Sequence, residues 1–414
     1  MDLLTRRALT RALTSFLIVL VFGSVMVAIV DRLRGQGQAH ASPSSSVSPS
    51  PSVSPASGQP DAWLAWVPGG IPAGFGTAIR RVSGVAGTNT EKADVTWLTG
   101  VTAADGTPAG QPVAPLQIPL DTTAVGPSFA SFLPQPERSL VDGLQQGEGV
   151  LSETGAALRG VGKGATLTFD TGASVTIVGT LPDVMMGGYE LLVTRTTGLT
   201  IGVTHDRYIL FEVKPGQNPN PVDLATRFQP YLPTDTKIDV VEVRRPFETR
   251  FLRPNDRELP PALLKVAFGE FAATTHPTTG ALTVDPAWVQ AHIRSETLPV
   301  LGTVTCHQKV LVLLAKAMRR LEKAGNAGLI TDHGTCYQPS IDPNDPEGAL
   351  TALDFGGAIP LNPGVNRPGD VPDSLTQPTA VVVAMQKQGF GWGGIDAWPQ
   401  GALFRYRVDP TATG

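Results

Sequence analysis

Residues 12–30 form the longest apolar run in the chain: nineteen positions without a charge, mostly Leu, Val, Ile and Phe. At roughly 1.5 Å per residue a helix there would be about 28 Å long, close to the apolar thickness of a bilayer. Arg6, Arg7 and Arg11 precede it against one acid, Asp2, while Asp31, Arg32 and Arg34 follow. The positive-inside rule then puts the N-terminus in the cytoplasm and the bulk outside. Ala39-His-Ala41 has the form of a signal cleavage box. It lies after three further charges, however, and the apolar run is long for a signal, so an uncleaved anchor is preferred. Residues 42–60 are mostly Ser, Pro and Val, a composition that buries no core and favours extended polyproline II.

After residue 62 shorter periods take over. Residues 165–169 and 174–178 flank the turn Asp170-Thr-Gly172 and read as a β-hairpin. Residues 189–193, 208–213 and 238–243 read as further strands, and 221–229 as a short helix. Farther on, Val310, Leu314, Ala317, Met318 and Leu321 fall on one face of a helix over 307–324, with Gly325 as its stop. A second helix is expected over 378–388, opened by proline and ended by Gly389, and 403–408 alternate as a strand. Together these elements predict an α+β chain. It would hold a cytoplasmic tail (1–11), a transmembrane helix (12–30), a linker (31–61), an α/β middle domain (62–253) and a second domain (254–414).

Composition narrows the partners. Charged residues make up 16% and the net charge is −4, with no Lys/Arg-rich run outside the N-terminus, so no nucleic-acid partner is expected. The 45 glycines and 37 prolines favour a loop-rich, β-containing chain. Cys306 and Cys336 are the two cysteines. In an exported chain a lone pair is most simply a disulfide, here closing a loop of about 30 residues; two unrelated buried thiols are the alternative. Gly160-Val-Gly-Lys-Gly164 fits neither phosphate-loop pattern and reads as a turn between a helix and a strand. Arg244, Arg245, Arg250 and Arg253 read as a solvated or salt-bridging face, with an anionic wall polymer as the sharper alternative.

Two C-terminal segments carry a more specific pattern. Residues 351–362 read Thr-Ala-Leu-Asp-Phe-Gly-Gly-Ala-Ile-Pro-Leu-Asn, and 389–405 read Gly-Phe-Gly-Trp-Gly-Gly-Ile-Asp-Ala-Trp-Pro-Gln-Gly-Ala-Leu-Phe-Arg. In spacing and glycine/aromatic pattern they resemble the zinc-site segments of VanY-like D-alanyl-D-alanine carboxypeptidases. Those peptidases write Ser-x-His-x-x-Gly-x-Ala-x-Asp-x-Asn and Gly-Phe-x-Trp-Gly-Gly, then acid-x-x-His-Phe-Glu. The resemblance implies a carboxypeptidase-like (hedgehog/D-Ala-D-Ala peptidase-like) domain over 254–414. It also places the first zinc histidine on Leu353, the zinc aspartate on Pro360, the second zinc histidine on Leu403 and the acidic base on Gln400.

A catalytic zinc needs three protein ligands and a carboxylate that takes the proton of its water. Leucine and proline side chains have no lone pair to give, and an amide is no base, so neither a zinc cofactor nor catalysis is expected. Ser340 also stands where the resembled motif ends in arginine. A relocated site would have to draw on His307 and His333, which a disulfide brings into one neighbourhood, with Asp332 or Asp354. Phe390, Trp392, Asp396, Trp398 and Tyr406 would line a groove left at the emptied site; the plainer alternative is that they are core aromatics and turn acids.

The stretch 149–179 resembles, more loosely, the extracytoplasmic core domain of MacB-type transporter permeases, without their four-helix membrane context. The favoured reading is a membrane-anchored extracellular pseudoenzyme that binds peptidoglycan or an envelope protein. Its rivals are an active zinc peptidase of stem peptides with a relocated site, and a partner of an envelope transporter.

Overall fold

The computed structural model describes residues 62–408 apart from 68–69, 215, 218, 235, 246–247, 250–258, 342–347, 371–375 and 397–398. The expected anchor, the linker, Arg250, Arg253 and Trp398 therefore lie outside the described residues. Contacts divide the chain after Val53, and the described residues all belong to the unit Ser54–Gly414.

One strand of 18 residues, β2 (Val85–Thr102), organises the first part. At roughly 3.3 Å per residue it runs about 60 Å. Its start pairs with β9 (Asp206–Val213), its middle with β4 (Ile118–Val125), and its end with β6 (Thr166–Phe169). The last pairing closes a six-stranded barrel. Its order is β2, β4, β8 (Leu191–Thr194), β5 (Glu148–Ser152), β7 (Ser174–Leu181) and β6, which returns to β2. A register shift between Leu98 and Gly100 bends β2 into that closure. β4 and β8 run parallel, as do β5 and β7; the other barrel pairs are antiparallel.

The barrel interior is a packed core. Leu98, Leu120, Leu151, Leu167, Phe169, Ile177 and Leu191 are at most 1% exposed within one cluster. Space is tight enough to require glycine at position 149, where a Cβ would come 2.8 Å from Val175. From the other side of β2 the sheet continues through β9 and β1 (Ala62–Trp66) to β10 (Asp239–Glu242). Short β3 (Pro108–Gly110) pairs with β2, and β11 (Arg244–Arg245) with β12 (Glu248–Thr249).

Helices in this part are short: α1 (Phe75–Ile79), α2 (Glu137–Asp142), α3 (Glu153–Arg159), α4 (Arg195–Thr200) and α5 (Pro221–Phe228). Ser152 caps α3 by accepting the Gly155 N–H at 2.9 Å, and Gly160 ends it in the left-handed region at φ 63°. The glycine-rich segment 160–164 is therefore the turn expected between α3 and β6.

The second part is built around α8 (Gln308–Lys323), whose Val310, Leu314, Ala317, Met318 and Leu321 are buried as its periodicity predicts. Packed with it are α6 (Pro261–Phe268), α7 (Pro286–His292) and α9 (Thr379–Gln386). Three small antiparallel sheets complete it: β13 (Ala273–Thr275) with β14 (Leu282–Val284), β15 (Ile293–Leu298) with β16 (Gly302–His307), and β17 (Ala358–Pro360), β19 (Leu403–Tyr406) and β18 (Phe390–Trp392) in that order. Main-chain bonds between Gln117 and Ala273, at 2.9 and 2.8 Å, join the two parts.

The expected fold class needs correction. The middle region is not an α/β domain but a closed β-barrel with a mixed sheet running on from it, and the rest of the chain is small sheets around a few helices. Among the described residues no helix is long and apolar enough to cross a membrane. The physical reason for the misreading lies in β2. It buries Thr88, Asn89, Glu91 and Thr96 among apolar neighbours, so its alternation is obscured. Closure rests on pairing Leu98 with Phe169, which no local pattern announces.

Candidate functional site

The positions matched to zinc ligands fall in and beside the β17–β19–β18 sheet. Pro360 and Leu403 are directly opposite one another in the β17–β19 ladder. Pro360 lies on Gly334, where a Cβ would come 2.9 Å from its ring, and its carbonyl accepts the Gly334 N–H at 2.9 Å. Leu353 packs half-buried on the same core as Leu403, and its carbonyl accepts the Gln338 N–H at 3.0 Å. Gln400 serves through its main chain: its N–H donates to Gly393 and its carbonyl accepts from Leu403. The four positions are thus structural parts of one folded segment.

His307 and His333 are engaged by backbone. His307 caps α8: its Nδ1 accepts the Lys309 N–H at 3.2 Å, which leaves Nε2 to donate to the Phe268 carbonyl at 3.3 Å. Burial pushes its pKa down to about 4, so the ring is neutral at physiological pH. It packs against the rings of Phe268 (4.8 Å) and His292 (5.5 Å). His333 places Nδ1 3.0 Å from the Gly334 carbonyl and Nε2 3.0 Å from that of Leu301. Cys306 and Cys336 are joined in a disulfide with Cα atoms 5.2 Å apart.

Asp354 accepts from the Ser340 N–H (2.7 Å) and from both the N–H and hydroxyl of Thr351, a capping role. Asp332 accepts the Gly364 N–H at 3.3 Å. Among the described residues no three His, Cys, Asp or Glu side chains gather into a group that could hold a metal.

The expected groove residues are spent on packing. Phe390 is a core residue. The Trp392 indole N–H donates to the Gly401 carbonyl at 2.7 Å. Asp396 is buried in an ion pair with Arg405. Tyr406 lies edge-on to Phe268 at 5.1 Å, and burial raises its hydroxyl pKa.

Two buried polar clusters have no counterpart among the sequence motifs. In the first, Glu190 meets the Lys265 ammonium at 2.7 Å through one oxygen and the Arg159 guanidinium at 2.8 Å through the other. Glu270 bridges the same two cations at 3.1 and 2.5 Å. Lys265 comes from α6 and Glu190 from the approach to β8, so the cluster fastens the second part to the barrel. Burial would raise the Glu190 pKa, but Lys265 and Arg159 hold it below the ordinary value.

The second cluster surrounds Glu91 on β2. One carboxyl oxygen accepts from the Asn89 amide at 2.5 Å, and the other, fully buried, has no hydrogen-bond partner. Tyr208 stands opposite it on β9. Burial pushes Glu91 up to about 8, against the opposing pull of Asn89, Arg195 and Thr123. Neither cluster had a local signal, because each assembles from residues far apart in the chain.

An open cleft of about 620 Å³ lies between α5 and β10. Trp66, Val222, Ala225, Thr226, Lys237 and Val240 are among its walls. β10 is the end strand of its sheet, paired on one side with β1. The cleft thus sets apolar side chains beside an end strand.

No protein-family model matches the chain, and no curated protein matches it. Solved structures do. Over 44% of its length the chain is similar to 88% of the periplasmic region of MacB from Actinobacillus actinomycetemcomitans, at 11% identity and TM-score 0.30. Over 44% it is also similar to the whole extracellular domain of the noncanonic ABC-type transporter YknZ from Gram-positive bacteria, at 10% identity and TM-score 0.27. The MacB periplasmic region is thus among the structures it is similar to, a transporter type that one of the two sequence resemblances also names. Nothing in the comparisons supports the carboxypeptidase one. Scores this low establish no shared fold and assign no family.

Proposed function

We propose that this chain is a non-catalytic protein of the cell envelope, held at the membrane through residues 12–30 with its bulk outside, and that it acts by binding another envelope protein. The observation that supports the non-catalytic part is the engagement of His307 and His333. All four of their ring nitrogens lie within 3.3 Å of backbone partners. A relocated zinc would have to break the His307 bonds to Lys309 and Phe268, and so compete with a cap that stabilises α8. The buried disulfide agrees with an oxidising compartment. The cleft beside β10 is the proposed binding place, since an end strand with an adjoining apolar wall suits an added peptide strand.

The test has two arms on the full chain. A reporter fused after Gln59 should be active only if it works outside the cell. Protein purified from its own cells should carry no stoichiometric zinc and release no D-alanine from stem peptides. About one zinc per chain with chelator-sensitive hydrolysis would sink the reading.

A further inference from the structure

The outward face of α8 carries a charge pattern that the fold does not use. Lys316, Arg319, Arg320 and Lys323 are all exposed. At about 100° per residue they occupy a sector roughly 100° wide, and the one acid of the helix, Glu322, lies about 60° beyond its edge. Among the described residues none of the four makes an ion pair or side-chain hydrogen bond. One turn earlier on the same face, Val312 is 54% exposed. The whole chain has net charge −4, so this stripe runs against the global balance.

Helix chemistry does not account for it. Arg320 and Lys323 stand in the last turn, where the C-terminal end of the dipole favours cations. Lys316 and Arg319 lie farther in, beyond that effect. The spacings 316–320 and 319–323 place like charges four apart, which opposes the helix. An external anion relieves that repulsion.

We infer that this face of α8 rests on an anionic bilayer surface, the membrane to which the chain is proposed to be anchored; the inference rests on that anchoring. Two observations choose a bilayer over an acidic protein. The first is the length of chain outside the described residues. Residues 31–61 separate the proposed anchor from β1, and at most about 3.3–3.6 Å per residue they keep the folded body within roughly 110 Å of the membrane. The second is the plainness of the face. The apolar side of α8 is committed to the core, so the stripe offers charge and one exposed valine, Val312, without an aromatic anchor that would specify a protein. Each cation near an anionic surface strengthens adsorption about fivefold, so four give a millimolar interaction on their own. Tethering raises the effective concentration into that same millimolar range. A face too weak for a free protein is then substantially occupied in a tethered one.

The experiment uses the full chain reconstituted into phosphatidylcholine vesicles with or without phosphatidylglycerol. Acylation of Lys316 and Lys323 is read by mass spectrometry relative to the exposed turn residue Lys163. Labelling of the two lysines should fall severalfold in the anionic vesicles and recover in high salt. The variant Arg319→Gln with Arg320→Gln, two exposed changes that keep the helix, should lose most of that protection. Equal labelling in both vesicles overturns the inference. Protection by soluble polyglutamate but not by anionic vesicles overturns it in favour of an acidic protein. Alkaline carbonate extraction reports the anchoring separately. If the chain washes out, the anchoring fails, and the labelling contrast is then read with chain and vesicles mixed at saturating lipid, where unequal labelling still supports adsorption and equal labelling refutes it.

Discussion

Glu91→Gln should alter how stability depends on pH, in one window and with a defined sign. A carboxyl raised from 4.5 to about 8 stays protonated in the fold while the unfolded chain ionises. Its contribution is complete below pH 4.5, falls as pH rises, and is flat above about 8. At roughly 1.36 kcal/mol per pH unit the full span is worth about 5 kcal/mol. His307 opposes it over part of that range. Its pKa is lowered from 6.5 to about 4, so its contribution is complete above 6.5 and lost as pH falls toward 4. Between 4.5 and 6.5 the two slopes nearly cancel, which makes 6.5 to 8 the window that reports on Glu91 alone. There the native chain should lose about 2 kcal/mol that the glutamine variant keeps.

Glutamine matches the shape of the neutral acid but puts an N–H₂ where the carboxyl oxygen lacked a partner, at a cost of about 1–3 kcal/mol. The variant should therefore be the less stable at pH 5, and its disadvantage should shrink or reverse by pH 8.5. The groups around Glu91 are Asn89, Thr123, Arg195 and Tyr208, and the substitution leaves all four in place. Urea unfolding of the full chain in mild detergent, followed by tryptophan fluorescence at several pH values, measures it. Parallel curves for the two proteins from pH 6.5 to 8 would show that Glu91 is ionised in the fold, and the argument from burial would fail.

Three further predictions concern the buried charge cluster, the disulfide and His307. Lys265→Met removes one cation from the buried four-charge cluster and should cost about 3–5 kcal/mol in urea unfolding, with much of it regained when Glu190→Leu is added; a neutral single variant would refute the role assigned to the cluster. Cys306→Ser with Cys336→Ser should lower stability by roughly 3–4 kcal/mol, as expected for opening a loop of 30 residues, and non-reduced peptide mapping of the native chain should recover the linked pair. His307→Asn keeps an acceptor for the Lys309 N–H but cannot titrate; between pH 6.5 and 4 it should gain about 3 kcal/mol relative to the native chain, and curves that stay parallel there would refute a neutral buried ring.

Local pattern alone determined the hairpin of β6 and β7, α8 with His307 at its start, the turn over 160–164 and the pairing of two lone cysteines. Each depends on neighbours within a few residues or on a choice with one simple answer. Tertiary structure decided the rest. The barrel closes because Leu98 meets Phe169, and the loop entropy lost there is offset by an interior that only the assembled strands create. Glu91 is an ordinary acid in sequence; its pKa rises because β9 and the segments over that face exclude water from it. The aromatics of 390–406 kept their spacing, yet the structure spends Phe390 on the core, Trp392 on a carbonyl and Tyr406 on Phe268. Spacing records which residues can meet on one face. Whether that face stays open to a ligand depends on what packs against it, and the elements that do so come from elsewhere in the chain.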